Sequence, residues 1–316
     1  MTVGAMLLGY AVCVGTLGSR MLGRARWTAR APMLAVVAYL TAAWSVVAAL
    51  GLAGLTLAVH ATALGGGLSQ LIGACVLRLR DTYTTPGGAT VAGLGLTLAG
   101  AVLARTMVTA LAHLRTTRRQ ASQHAQTARF VGHAEPGLGA MLLDHPHPAA
   151  YCVAGRRPTV ILTTGAVAAL DQAELDAVLA HERAHLAFRH HLLKDIARIC
   201  HQVLPFLPLM RDADAQVARL VELHADDVAT GACEPGPLAA ALVILATGAR
   251  PAPALAAAAT DAVQRIHRLL GPAEPPLSPV RRQLLSAGVA ALAVAAVLLA
   301  LAPAALALAL GRVPGA

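Results

Sequence analysis

The chain is 316 residues long, 57% hydrophobic, 13% charged and 3% aromatic. Soluble globular domains carry about a quarter charged residues, so this composition excludes an ordinary soluble enzyme and is typical of a membrane protein. The net charge is +9, yet residues 113–283 hold 17 Lys and Arg against 15 Asp and Glu. A nucleic-acid-binding domain would carry a basic face in its folded part. We therefore expect no direct nucleic-acid binding.

Four apolar segments are long enough to cross a bilayer, which takes about 20 helical residues. The first is followed, not preceded, by basic residues, unlike a secretory signal peptide, so we expect it to be retained as a span. Arg105, near the end of the third apolar stretch, is expected to snorkel to the interface. The predicted spans cover about residues 3–19, 32–57, 88–110 and 285–308.

Residues 61–77 are also apolar, but they contain three consecutive glycines, Gly65 to Gly67. We favour a re-entrant or interfacial segment over a fifth crossing. The choice matters because an extra crossing would move everything after it to the other side of the membrane.

The arginines predict the orientation, since short loops rich in Lys and Arg stay in the cytoplasm. The loop from Arg20 to Arg30 is the strongest such signal, and the arginines that follow the third span agree with it. Both termini are therefore expected outside, with the large aqueous segment in the cytoplasm. The predicted organisation is a membrane region over 1–112, a cytoplasmic domain over 113–283, and a last span with its tail over 284–316.

The aqueous segment is long enough for one compact domain of mixed α and β structure. Thr159–Thr163 is a run of β-branched and apolar residues that predicts a strand. Asp171 and Glu174 have capping-box spacing, which predicts the start of a helix. Ala149–Val153 predicts a shorter strand, and a second helix is predicted near Ala213–Thr230, where Gly231 is placed to end it. Arg250–Pro275, rich in Ala and Pro, receives no assignment.

The predicted helix after Asp171 carries the motif H-E-x-x-H at His181, Glu182 and His185. This spacing places two imidazoles one turn apart on the same helix face, where they can hold one zinc ion. Glu182 then lies beside the attacking water and can act as general base. An amphipathic helix with surface histidines is the alternative, and the motif makes it the weaker one. The sequence predicts a zinc peptidase with one Zn²⁺ per chain.

A catalytic zinc ion needs a third protein ligand. Glu222 is our first choice, because it lies in an E-x-x-x-D pattern whose Asp226 can orient a histidine ligand from behind. His191 is the second choice, at a position that metzincins use, but Phe188 replaces the glycine of that pattern. Without this glycine we expect the helix to continue and to carry His191 away from the metal.

Other histidines are considered as metal ligands but are not favoured. His224 lies on the predicted helix of Glu222 but points some 200° around from it, so only one of the two can face the site. His190, His191 and His201 are expected to be interfacial or core residues. A solvated helix face is the alternative for Glu222 and Asp226.

The motifs resemble those of the membrane gluzincins. The resemblance covers residues 144–230, including Pro148–Tyr151, Arg156–Gly165, Leu175–His185 and Glu222–Asp226. It is nearest to the BlaR/MecR sensor-transducer peptidases, with the HtpX-type and CAAX prenyl peptidases more distant. It implies a mainly α, multi-span protein of the bacterial plasma membrane with a cytoplasmic α+β gluzincin domain. In this family His181, His185 and Glu222 would bind zinc, Glu182 would be the base and Asp226 would support the site.

The resemblance also implies a substrate, a cytoplasmic repressor of the BlaI type with a winged-helix fold. The chain lacks the extracellular penicillin-binding domain of the full-length sensors, so a beta-lactam signal is not expected. Quality control of membrane proteins, as in HtpX-type peptidases, is a second reading, and a non-catalytic signalling scaffold is a third. Glu182 argues against the scaffold, because a structural zinc site needs no carboxylate there.

Overall fold

The computed structural model of the protein describes residues 2–58, 88–155, 158–248, 255–272 and 275–310. The predicted re-entrant segment 61–77 lies outside these residues. The described residues are mostly helical, at 79%, and contain one small sheet. This confirms the prediction of a mainly α fold.

Among the described residues four helices are long and apolar enough to cross a membrane, at Val3–Arg24, Pro32–Ala58, Thr90–Gln123 and Pro279–Ala302. Each overlaps one predicted span. The first is irregular, because a π-helical turn joins its two α-helical parts, and a short helix links it to the second. The helices of this region are α1 (Thr2–Cys13), the π turn (Val14–Gly18), α2 (Ser19–Arg24), α3 (Trp27–Arg30), α4 (Pro32–Ala58), α5 (Gly88–Val131) and, at the end of the chain, α12 (Pro279–Leu310).

The sheet follows α5 directly and has the strand order β1-β2-β4-β3. Strand β4 pairs parallel with β2 and antiparallel with β3, so β4 is central and β3 is an edge strand. The two strands predicted from the sequence are β4 and β3, whereas β1 and β2 were not predicted. The strands are β1 (Gly132–Glu135), β2 (Ala140–Leu143), β3 (Ala150–Val153) and β4 (Thr159–Thr163).

Within the described residues, six helices lie between the sheet and α12. The predicted capping box is present, with Asp171 and Glu174 each binding the other's backbone amide at the start of α7. Helix α9 begins at Pro208, five residues before the predicted start, because proline is well suited to the first turn of a helix. The helices are α6 (Thr164–Ala169), α7 (Gln172–Ala187), α8 (His190–Val203), α9 (Pro208–Thr230), α10 (Pro235–Gly248) and α11 (Leu255–Leu270).

The turn between α7 and α8 corrects one expectation. We expected the helix to continue past Phe188, since no glycine stands there, but α7 ends at Ala187. Arg189 adopts the left-handed conformation that glycine usually provides, with φ of 51°. The chain therefore reverses at Arg189, and His190 begins a new helix.

The largest hydrophobic core joins the apolar helices to the segment that carries the metal motif. It contains residues of α1, α4 and α12 together with residues of α8 and α9, including Tyr39, Val203 and Leu220. Arg105 of α5 strengthens this junction, because its guanidinium donates to the backbone carbonyls of Gln202 and Val203 at the end of α8. Helices α8 and α9 are thus fixed directly against the apolar bundle.

Candidate metal centre

Helices α7 and α9 bring the three predicted zinc ligands together. The Nε2 atoms of His181 and His185 lie 3.1 Å apart. Glu222 Oε2 lies 3.5 Å from the first and 3.4 Å from the second. Zinc bonds of about 2.05 Å make a tetrahedron with edges of about 3.3 Å, so the three atoms fit one face of such a site. Among the described residues these three form the group able to hold a metal ion.

Glu222 is ready to act as an anionic ligand. Burial alone would raise the pKa of its carboxyl, but hydrogen bonds with His181 and His185 and the charge of Arg265 outweigh burial and hold that pKa well below its usual range. Burial would likewise lower the pKa of His181, yet the neighbouring Asp226 and Glu222 raise it to about 9. Without metal, these groups form a cluster of ion pairs.

Asp226 lies behind His181, as the E-x-x-x-D pattern predicts. Its Oδ1 is 3.1 Å from His181 Nδ1, a short contact whose angle departs from a formed hydrogen bond. Asp226 is completely buried and is held by Arg265, whose Nε and Nη2 donate to its two oxygens at 2.8 and 2.6 Å. A bidentate pair of this kind fixes both distance and orientation.

Arg265 is the main site residue that the sequence analysis missed. It lies on α11, inside the stretch that was left unassigned, and 39 positions after Asp226. Its Nη1 is 3.5 Å from Glu222 Oε2. The formal charges of Glu182, Glu222, Asp226 and Arg265 sum to two negative charges, which suits a divalent cation.

Two further imidazoles, those of His190 and His224, form a hydrogen-bonded chain with His185. His190 Nδ1 lies 2.8 Å from His185 Nδ1, and His190 Nε2 lies 3.0 Å from His224 Nδ1. His190 is completely buried. Burial, with contributions from His185 and His224, lowers its pKa to about 3. His190 is therefore neutral and can accept one hydrogen bond while donating another.

Three other histidines considered in the sequence do not belong to the metal group. His224 points to His190 and not into the metal group, which agrees with the angular argument that only Glu222 faces the site. His201 Nδ1 pairs with Asp214 at 3.1 Å. His191 is absent from the metal group, although the chain reverses just before it.

Glu182, the middle residue of the metal motif, lies next to the sheet. Burial and the neighbouring Glu182 carboxylate raise the pKa of the Cys152 thiol, on edge strand β3, to about 12. The Glu182 carboxylate is thus next to edge strand β3. On the other side of Glu222, a cleft of about 630 Å³ opens between α9 and α11, lined by Lys194, Arg219, Asp261 and Arg268 among others.

Comparison with known proteins agrees with this geometry. Residues 113–210 match peptidase family M48, a stretch that includes His181, Glu182 and His185 but ends before Glu222. No curated protein and no solved structure matches the chain. The narrower BlaR/MecR type stays a prediction. Over residues 113–210 the chain is similar to the M48 peptidases, and this similarity supports a metallopeptidase.

Proposed function

We propose that the protein is a membrane-anchored zinc endopeptidase that cleaves a cytoplasmic protein. The observation that carries the proposal is the triangle of His181, His185 and Glu222 donor atoms, with edges of 3.1 to 3.5 Å. A general base one residue from the first ligand distinguishes this arrangement from a structural metal site. The M48 match supports the peptidase part independently.

The residues of the chain divide the chemistry between them. A zinc ion held by His181, His185 and Glu222 would acidify the attacking water and polarise the scissile carbonyl. Glu182 takes the water proton and returns it to the leaving amine. Asp226, itself fixed by Arg265, holds the His181 ring in position.

Strand β3 supports recognition of an extended peptide. Within the described residues it pairs only with β4, so its outer edge has backbone groups available for a further strand. Strand β4, in contrast, is paired on both sides, with β2 and with β3. The Cys152 side chain of β3 contacts Glu182. A peptide added along β3 would therefore pass close to the general base.

The four long apolar helices support a multi-pass membrane location, and the arginine distribution supports a cytoplasmic active site. For the substrate we propose a winged-helix repressor of the BlaI type, as the family resemblance implies. Broad cleavage of unfolded proteins would instead indicate quality control.

The test compares the purified wild-type protein with the Glu182→Gln variant. We expect the variant to keep one zinc ion per chain and to lose cleavage of a purified BlaI-type repressor, because only the proton transfer is removed. Glu234→Gln, an exposed change on the loop before α10, is the matched control and should behave as wild type. Unchanged cleavage in Glu182→Gln would remove Glu182 from the mechanism, and absence of zinc from the wild type would refute the metal site.

A further inference from the structure

The loop between α8 and α9 and the adjoining helix ends carry only apolar side chains. We define this segment as the hairpin tip, residues Val203–Met210, with the sequence VLPFLPLM. It contains no polar side chain, and its two prolines carry no backbone N–H. Phe206 at its apex is 75% exposed. In water this arrangement would leave a large aromatic side chain unprotected.

Several backbone groups of the hairpin tip are paired within the protein. The amides of Leu204, Leu207 and Met210 donate to carbonyls at 3.1 to 3.2 Å. The carbonyl of Val203 accepts from Arg105 Nε at 2.6 Å. Inside lipid such pairing stabilises the backbone, because no water is present to supply a partner. The Arg105 guanidinium thus caps the C-terminal end of α8, and its donors are paired with protein carbonyls instead of water.

The contacts of the hairpin tip with the first apolar helix indicate how deep the tip would lie in a bilayer. Leu207 packs on Gly15, where a side-chain carbon would meet it at 3.3 Å, and Leu209 lies beside Gly18. The next residues on both segments are polar, and Ser19 donates to Asp212 there. Gly15 precedes Arg20 by five residues, about 7 Å along a helix. Amphipathic segments that lie in a membrane interface reach depths of about 5–10 Å.

We propose that the hairpin tip inserts among the lipid acyl chains of the cytoplasmic leaflet, with Phe206 in direct contact with them. This inference rests on the proposed membrane location. Its continuity with the apolar bundle, through Gly15 and Arg105, identifies the lipid as the occupant. Glu222 follows Met210 by 12 residues on α9, which places it about 18 Å along the helix axis from the inserted end. The hairpin therefore holds the active site close to the membrane surface, where it meets chain segments near the bilayer.

The experiment measures quenching of tryptophan fluorescence by brominated acyl chains in phosphatidylcholine vesicles that contain the full chain. Trp27 and Trp44 are replaced by Phe, and the Phe206→Trp change supplies the only tryptophan. Because Phe206 is largely exposed, the larger ring fits without displacing a neighbour, and an unchanged circular-dichroism melt verifies folding. Phe188→Trp in the same background is the matched control beside the metal centre. Native Trp44, alone after Trp27→Phe, reports on the apolar helix α4.

We expect strong quenching and blue-shifted emission for Phe206→Trp and for Trp44, and little quenching for Phe188→Trp. Quenching of Trp44 without quenching of Phe206→Trp would overturn the inserted hairpin and leave the membrane location intact. Absence of quenching at both positions would reject the membrane location and this inference with it. Neither outcome depends on zinc or on peptidase activity.

Discussion

The histidine chain behind His185 gives a prediction about metal affinity. When His185 holds a metal through Nε2, its Nδ1 carries the proton and donates to His190 Nδ1, which lies 2.8 Å away. His190 then donates from Nε2 to His224. Partners of this kind set the tautomer and the orientation of a metal-binding imidazole.

The change His190→Phe keeps a ring of similar size and removes both hydrogen bonds. His190 is 0% exposed, so water cannot replace it, and the His185 N–H would be left buried and unpaired at a cost of about 1–3 kcal/mol. At about 1.4 kcal/mol for each factor of ten, zinc affinity should fall by about one to two orders of magnitude.

The assay is competition for zinc between the detergent-solubilised protein and a chelator of known affinity. The neighbouring change His191→Phe is the control, because His191 is outside the metal group, and it should leave zinc affinity unchanged. His190→Asn, whose amide oxygen can accept from His185, should recover part of the loss. Equal zinc affinity in the His190→Phe and His191→Phe variants would refute the supporting role of His190.

Two further predictions concern the neighbours of the site. Arg265→Lys keeps the charge but loses the bidentate contact with Asp226; we expect zinc affinity to fall about tenfold in the same competition assay, and an unchanged affinity would show that Asp226 needs no such support. In metal-free protein, Glu182→Gln removes a carboxylate that raises the Cys152 pKa, so more thiolate forms at a given pH and Cys152 should react faster with iodoacetamide. Peptide mapping measures that rate, with buried Cys200 as an internal control; equal Cys152 rates in both proteins would place Glu182 away from β3.

Local features of the chain were predictable because they depend on residues only a few positions apart. The H-E-x-x-H spacing is one helical turn, so it predicts two imidazoles on one face whatever the rest of the fold does. The capping box at Asp171 is equally local, and the mean hydropathy of a 20-residue window is enough to locate the apolar helices. Strand β4 followed from the residues between Pro158 and Gly165.

The partners of these features were decided by tertiary packing. The third ligand could have been Glu222, His224 or His191. The choice depends on the turn at Arg189 and on how α9 packs against α7. No short-range pattern specifies that turn or that packing. Arg265 reaches Asp226 from a helix that the sequence did not predict. Periodicity reports one element at a time, whereas a metal centre is assembled from several, because its side chains must converge from helices that are distant along the chain.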